Sequence, residues 1–218
     1  MKKTIIYYTG NREDPVFEQK IIDDMLSKAG DMPIISISQK PMKLGKNICI
    51  GDVGFSYLNE RKQIFMAAKL AKTEYVITAE SDFLYPPEYF NFKPSGDNLY
   101  RWENIWIMWQ RDKRQSFYRK SSTSDGAQIV KREFLVDLLE KYLAPYPNWH
   151  EKNDRERDPH HSPYHRLPFT PIPGKNPCIS IKTNSGLTYL TGVYYTPEGT
   201  KEKLPYWGEV QSLRKKFS

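Results

Sequence analysis

The apolar positions of the chain fall into short β-branched runs separated by stretches of helical spacing. Thr4 to Tyr8 is almost continuously apolar, the pattern of a strand buried on both faces. Beyond the loop Thr9-Gly10-Asn11-Arg12, Asp14 and Pro15 supply an N-cap and a proline for the first helical position. Phe17, Ile21, Ile22, Met25 and Leu26 then recur at helical spacing as far as Gly30. Pro33 to Ser38 alternates as a second strand, closed by Gln39-Lys40-Pro41, and Met42 to Phe55, rich in Gly and Lys, reads as a loop. Leu58 to Ala71 reads as a helix with Ile64, Ala67, Ala68 and Ala71 on its inner face. Strand, helix, strand, helix predicts an α/β chain with a central, mostly parallel sheet flanked by helices.

The second half is less regular. Leu99 to Trp109 is dense in aromatic and β-branched residues and reads as sheet, with its tryptophans in the core. Phe117 to Ser121 reads as a strand, Ser121 to Gly126 as a polar loop and Ala127 to Val130 as a further strand. Arg132 to Tyr142 follows as an amphipathic helix, with Phe134, Leu135, Leu138, Leu139 and Tyr142 on its buried side. The composition then breaks. Residues 145–177 hold all four histidines (His150, His160, His161 and His165), several prolines and a run of mixed charge, which reads as an irregular lid.

Between these halves lies the stretch on which the chemistry turns. Tyr75 to Ala79 is a strand that runs straight into Glu80-Ser81-Asp82-Phe83-Leu84-Tyr85. In open α/β sheets ligands gather outside the carboxyl ends of the strands, where these two carboxylates fall. Side chains at i and i+2 of an extended segment share a face, so Glu80 and Asp82 can converge on one hard cation. A solvated strand end before the Pro86-Pro87 turn explains the same spacing.

The order of a hydrophobic strand, Glu80-Ser81-Asp82-Phe83-Leu84-Tyr85, Pro86-Pro87 and an aromatic pair resembles the acidic motif of nucleotide-sugar glycosyltransferases of the GT-A type. It is similar above all to family-2-like phage and bacterial members whose motif reads Glu-His-Asp-Val-Leu-Tyr. The resemblance implies a single GT-A, Rossmann-like domain over 1–218, with a nucleotide-sugar-binding half at 1–110 and an acceptor-side half at 111–218 that carries the lid. It implies Mn2+ or Mg2+ held by Asp82 first and Glu80 second, against the diphosphate of a nucleotide-sugar donor, expected to be UDP-linked. Ser81 stands where the family has His or Asp. Thr9, Asn11 and Arg12 become donor-binding candidates, as do Arg61 and Gln63 on the helix beside the donor, each with a plain structural reading as turn, cap or helix surface. Asn104 and Trp106 stand in for an Asn-x-x-Trp-like segment. Asp125 comes near the reaction centre, and Asp125 or Glu151 is the candidate general base of an inverting reaction. Near Cys178, aligning Ile179 to Thr191 with the family's Ile-Asp-Ile-Arg-His segment puts Lys182 at the Arg and Thr183 at the His that is a third metal ligand. A lid histidine, the two carboxylates with the diphosphate, or Lys182 are the open replacements.

Charge bears on the acceptor. The 33 Lys+Arg against 26 Asp+Glu of the 218 residues give a formal charge of +7, which favours anionic partners. Phage relatives make a hydroxymethylated pyrimidine in DNA one expected acceptor, a saccharide the other. A non-catalytic or nuclease-like nucleic-acid-binding protein is the rival reading, although a nuclease of the Glu-x-Lys type needs Lys where Asp82 stands. No glycine-rich phosphate loop and no HExxH is present, which leaves dehydrogenase, ATPase and zincin without a motif. Two distant cysteines, the absence of any membrane-length apolar run and an N-terminal run too short for a signal peptide predict a cytoplasmic protein, of a bacterial host if phage-encoded.

Overall fold

The computed structural model describes residues 2–110, 115–150, 167–183, 185 and 195–218. A seven-stranded sheet forms the centre, in the order β10-β6-β9-β4-β1-β2-β3. Its strands are β1 (Lys3–Thr9), β2 (Ile34–Ser38), β3 (Lys46–Cys49), β4 (Tyr75–Glu80), β6 (Leu99–Trp102), β9 (Gln128–Lys131) and β10 (Thr170–Ile172). All run in one direction except β9, which pairs antiparallel with β4 and β6. The expected α/β class, with a mostly parallel sheet between helices, is therefore observed.

Helices cover both faces because each central strand is apolar on both. Ile6 and Tyr8 of β1 face α2 (Tyr57–Leu70) and α4 (Arg132–Leu143), whereas Ile5 and Tyr7 face α1 (Pro15–Ala29) and α3 (Pro87–Asn91). In α2 the inner face is Ile64, Ala67 and Ala68, small enough for the helix to lie close on the sheet. Asp14 caps α1 by accepting hydrogen bonds from the backbone N–H groups of Val16 and Phe17.

A second, five-stranded sheet in the order β12-β8-β7-β11-β5 stands beside the first. It comprises β5 (Phe83–Leu84), β7 (Ile105–Trp109), β8 (Phe117–Lys120), β11 (Cys178–Lys182) and β12 (Tyr195–Lys201). A small hairpin, β13 (Lys203–Leu204) and β14 (Gly208–Glu209), leads into α5 (Val210–Lys216). Leu204, Val210, Leu213 and Phe217 pack with Phe17 and Ile21 of α1 against Ile179 and Ile181.

Three expectations need correction, and that of sheet over Leu99 to Trp109 is refined. The Met42 to Phe55 loop contains strand β3, which pairs with β2 through only four residues. Leu99 to Trp109 is two strands in different sheets, separated by Glu103-Asn104. Leu26 is 43% exposed, because the buried stripe of α1 is filled by Phe17, Ile21, Ile22 and Met25. The lid range 145–177 includes β10, an edge strand of the central sheet on β6, so its last part is regular structure. Trp102, Trp106 and Trp109 are buried as expected.

Candidate active site

Glu80 is the last residue of β4, and Asp82 lies in the turn between β4 and β5. The chain passes there from the large sheet to the small one. The backbone carbonyl of Asp82 accepts a hydrogen bond from Ile181 N–H at 2.7 Å, which holds the turn against β11. Lys182, the next residue, reaches Asp82 with Nζ 3.5 Å from Oδ2. Two residues predicted a hundred positions apart therefore meet.

Glu80 is held at its carboxylate and at its backbone. Tyr8 donates its hydroxyl to Oε1 at 2.7 Å, and the backbone N–H of Glu80 donates to the Tyr85 hydroxyl at 3.0 Å. Gly126 lies against it so closely that a Cβ there would collide with the carboxylate. Burial, and then the negative charges of Asp82 and Glu60, push the Glu80 carboxyl up to about 8.

Arg61, on α2, brings the second candidate group in. Its guanidinium pairs with Asp125 and with Glu60, at 3.0 Å to the latter, and its side chain is only 3% exposed. Asp125 opens the 3-10 turn Asp125–Ala127, capped by Ser124, and its backbone carbonyl accepts from the Thr78 hydroxyl at 2.7 Å. Glu60 is itself raised to about 7 by burial, against the pull of Arg61. The polar half of α2 is thus not a solvated face: Asn59, Arg61, Lys62 and Gln63 are all buried.

The loop after β1 is held more by its own bonds than by exposure. Gln63 donates from Nε2 to the Thr9 carbonyl at 3.1 Å, and the Thr9 hydroxyl accepts from Asn11 N–H at 2.9 Å. Asn11 adopts φ 48°, a left-handed conformation that Asn tolerates. Its side-chain oxygen accepts from the backbone N–H groups of Gln39 and Lys40. Asn11 thereby ties β1 to the end of β2. Arg12 lies over the Phe55 ring at 4.3 Å.

Two acidic or basic groups escaped the sequence reading. Glu13, passed over beside the N-cap Asp14, is buried and accepts a hydrogen bond from the Thr183 hydroxyl at 2.9 Å. Burial, then the charge of Asp82, raise its carboxyl to about 7. Thr183, which the alignment put at a metal-ligand position, thus does meet an acid beside Asp82. Lys120, at the end of β8, is lowered to about 8 by burial, with Asp125 opposing and Lys182 adding to the shift. Its ammonium donates to Ser122 and Thr123 in the loop that leads to Asp125. The only signal in the sequence for either was a charged residue at the carboxyl end of a strand or in the loop beyond it.

Other predicted positions fall outside this cluster. Asn104 accepts from Trp106 Nε1 at 3.0 Å and from Arg119, and donates to the Gly174 carbonyl, so it fastens the crossover between the sheets. Glu151, His160, His161 and His165 lie outside the described residues. Asn59 donates to the His150 carbonyl and accepts from His150 N–H, both at 2.8 Å.

Among the described residues, no group of three or more His, Cys, Asp or Glu side chains stands together as a metal centre. The fit to a cation rests on the Glu80 and Asp82 pair. Their oxygens are hard donors, and although burial is the main cause of the upward shift of Glu80, the charge of Asp82 adds to it, a repulsion that a divalent ion would relieve. Lys182, 3.5 Å from Asp82, and Lys120, whose charge interacts with Asp125 and Glu80, supply positive charge nearby.

No protein-family model and no curated protein matches the chain in sequence. Among solved structures, S. aureus TarS in complex with UDP-GlcNAc shares the fold, with a TM-score of 0.50 at 13% identity over 88% of this chain and 62% of that one. A glycosyltransferase involved in the glycosylation of the major capsid of PBCV-1 aligns at 0.44 and 12% identity, over 79% of this chain and 82% of that one. The bifunctional IspDF from Campylobacter jejuni aligns at 0.44 and 12%, over 81% and 50%. The chain therefore spans half of the IspDF structure and less than two thirds of the TarS one. The fold is that of the TarS structure.

Proposed function

We propose that the chain is a metal-dependent glycosyltransferase of the GT-A type that moves a sugar from a UDP-linked donor to an acceptor hydroxyl. The observation that carries this is the placement of Glu80 and Asp82 at the carboxyl end of β4, with Lys182 3.5 Å from Asp82, in a fold shared with a UDP-GlcNAc complex. On this reading residues 1–110 bind the donor and 111–218 border the acceptor.

Asp82 and Glu80 would hold Mn2+ or Mg2+, which acts as a Lewis acid on the leaving diphosphate. Lys182 and Lys120 neutralise charge that grows on the diphosphate oxygens as the glycosidic bond breaks. Thr9 and Gln63 shape the edge of the donor site, Asn11 fixes the loop in place, and Arg12 borders it. Arg61 orients Asp125 through their ion pair. In an inverting reaction Asp125 takes the proton of the acceptor hydroxyl, with Glu151 the other candidate. The formal charge of +7 supports a polyanionic acceptor, and a hydroxymethylated pyrimidine in phage-type DNA is the one we favour over a saccharide.

Calorimetric titration of UDP and UDP-GlcNAc, with and without Mn2+, tests the donor site. Metal-dependent binding abolished by Asp82→Ala is the expected result. Absence of binding by any nucleotide would leave a likeness of fold alone and bring the nucleic-acid-binding reading forward. The acceptor is tested by mass: DNA bearing hydroxymethylated pyrimidines must gain one sugar when incubated with enzyme, metal and donor.

A further inference from the structure

Far along α1 from the cleft, the hairpin β13–β14 presents an aromatic corner over a cavity. Asp14 caps α1 beside the loop after β1, and Asp24 lies ten residues further on, about 15 Å along the helix axis. The cavity is about 240 Å3 and is lined by Asp24, Tyr206, Trp207, Ser212, Leu213 and Lys216. That is below the range of drug-sized sites, and suits a small ligand.

The hairpin spends conformational strain on this corner. Tyr206 has φ 67°, and Trp207 N–H donates to the Pro205 carbonyl at 2.8 Å across it. An i to i+2 bond around a residue of positive φ is the rare, strained form of the γ-turn. Bulky residues avoid it, and such strain gathers at ligand sites. Its result is a Tyr206 ring that is 52% exposed and stands at 85° to the Trp207 ring, with centroids 4.8 Å apart. Trp207 itself is fixed, donating from Nε1 to the Pro177 carbonyl at 2.7 Å, with Lys28 4.3 Å over its ring.

The polar wall is equally defined. The Asp24 side chain is only 6% exposed, and it pairs with Lys28 through Oδ2 and with Lys216 through Oδ1 at 3.4 Å. A carboxylate has about four acceptor positions, so Oδ1 keeps capacity for a hydroxyl donor. A purely apolar ligand would strip water from Asp24 without replacing it. An anion would face the carboxylate, and a cation the two ammonium groups. A ring with an apolar C–H face and several hydroxyls satisfies rings, carboxylate, ammonium and the Ser212 hydroxyl together.

We propose that this cavity is a binding site for one ring of a neutral saccharide, separate from the acidic cleft. It stands independently of the transferase reading. The hydroxyls donate to Asp24 and accept from Lys216, and the C–H face lies on Tyr206.

Titration of the full chain with methyl glucoside, methyl galactoside and N-acetylglucosamine, followed by tryptophan fluorescence and saturation-transfer NMR, tests this. Saturable binding of at least one sugar is expected, in roughly the millimolar range that a dozen heavy atoms support. Tyr206→Gly should weaken it at least tenfold while thermal stability holds or rises, because glycine adopts φ 67° freely. Tyr206→Asn, also tolerant of that conformation, repeats the test should the first variant not fold. Asp24→Asn should weaken binding several-fold, and Asp82→Ala should leave it unchanged. No saturable binding of the three sugars, binding that survives removal of the Tyr206 ring, or loss with Asp82→Ala would each overturn the proposal.

Discussion

Arg61 and Asp125, 64 residues apart in the chain, form a buried ion pair that joins α2 to the turn before β9. Glu60 shares the same guanidinium, so one cation serves two acids. Breaking such a pair from one side leaves a buried charge without its counterpart, whereas removing both partners does not. Arg61→Met should therefore cost about 3 kcal/mol in urea unfolding, and Arg61→Met combined with Asp125→Leu should recover part of that loss, Glu60 still lacking its cation. Equal losses in the single and double variants would mean that the pair is not coupled.

The Glu80 carboxyl gives the fold a pH dependence of defined sign. Its ordinary value is 4.5, and in the fold it is raised to about 8. Below 4.5 the folded and unfolded chains both hold the proton. Between these values only the folded chain does, so this group's contribution to stability falls as pH rises and is lost by about pH 8. Glu80→Gln should thus melt roughly 3 °C or more above the wild type at pH 8.5, with the gap closing towards pH 5. A gap independent of pH would show that Glu80 is not the group responsible.

Gly126 lies against Glu80 because no larger residue leaves room for the carboxylate. Gly126→Ala should push that carboxylate aside and weaken Mn2+-dependent UDP binding at least tenfold, at a cost in stability of about 1 kcal/mol. Calorimetry and melting read the two effects separately. Unchanged nucleotide binding would detach Glu80 from the donor site.

Much of the large sheet was legible, because β1, β2 and β4 are runs whose apolar faces need partners on both sides. The acidic strand end was legible for the same reason: two carboxylates after a buried strand have nowhere to go but its carboxyl end. β3 was not legible. Lys46-Asn47-Ile48-Cys49 is a four-residue edge strand with one apolar side chain inside and polar neighbours all round, and its pairing depends on β2 alone. The split of Leu99 to Trp109 was hidden too. Both strands are buried on both faces, so their apolar residues cannot say which sheet each joins. Within the site, Arg61 and Gln63 read either as donor-binding candidates or as a surface row, since helical spacing shows where the apolar stripe lies and not what covers the polar one. Asp125 beside Arg61, Lys182 beside Asp82 and Glu13 beside Thr183 are contacts of high sequence separation, which local pattern does not encode.

Asn59 holds the entrance to the segment that begins at His150 through two bonds, one to its N–H and one to its carbonyl. Asn59→Ala removes both while leaving the helix intact. The His150 amide should then exchange with deuterium at least tenfold faster, whereas the amides of Ala67 and Ala68 in the same helix keep their protection. Faster exchange along the whole of α2 would mean that Asn59 stabilises the helix rather than the junction.

The crossover between the sheets distributes charge as well as chain. Lys120 and Lys182 ride on the five-stranded sheet, while Glu80 ends a strand of the seven-stranded one and Asp125 leads into another. Opposite charges therefore meet across the junction of the two sheets, with Lys182 3.5 Å from Asp82 in the turn after β4. That attraction weakens with salt over a screening length of about 8 Å at physiological ionic strength. On the proposed reading, a ligand carrying a cation and phosphates would meet both sets of charge at the point where the chain changes sheet.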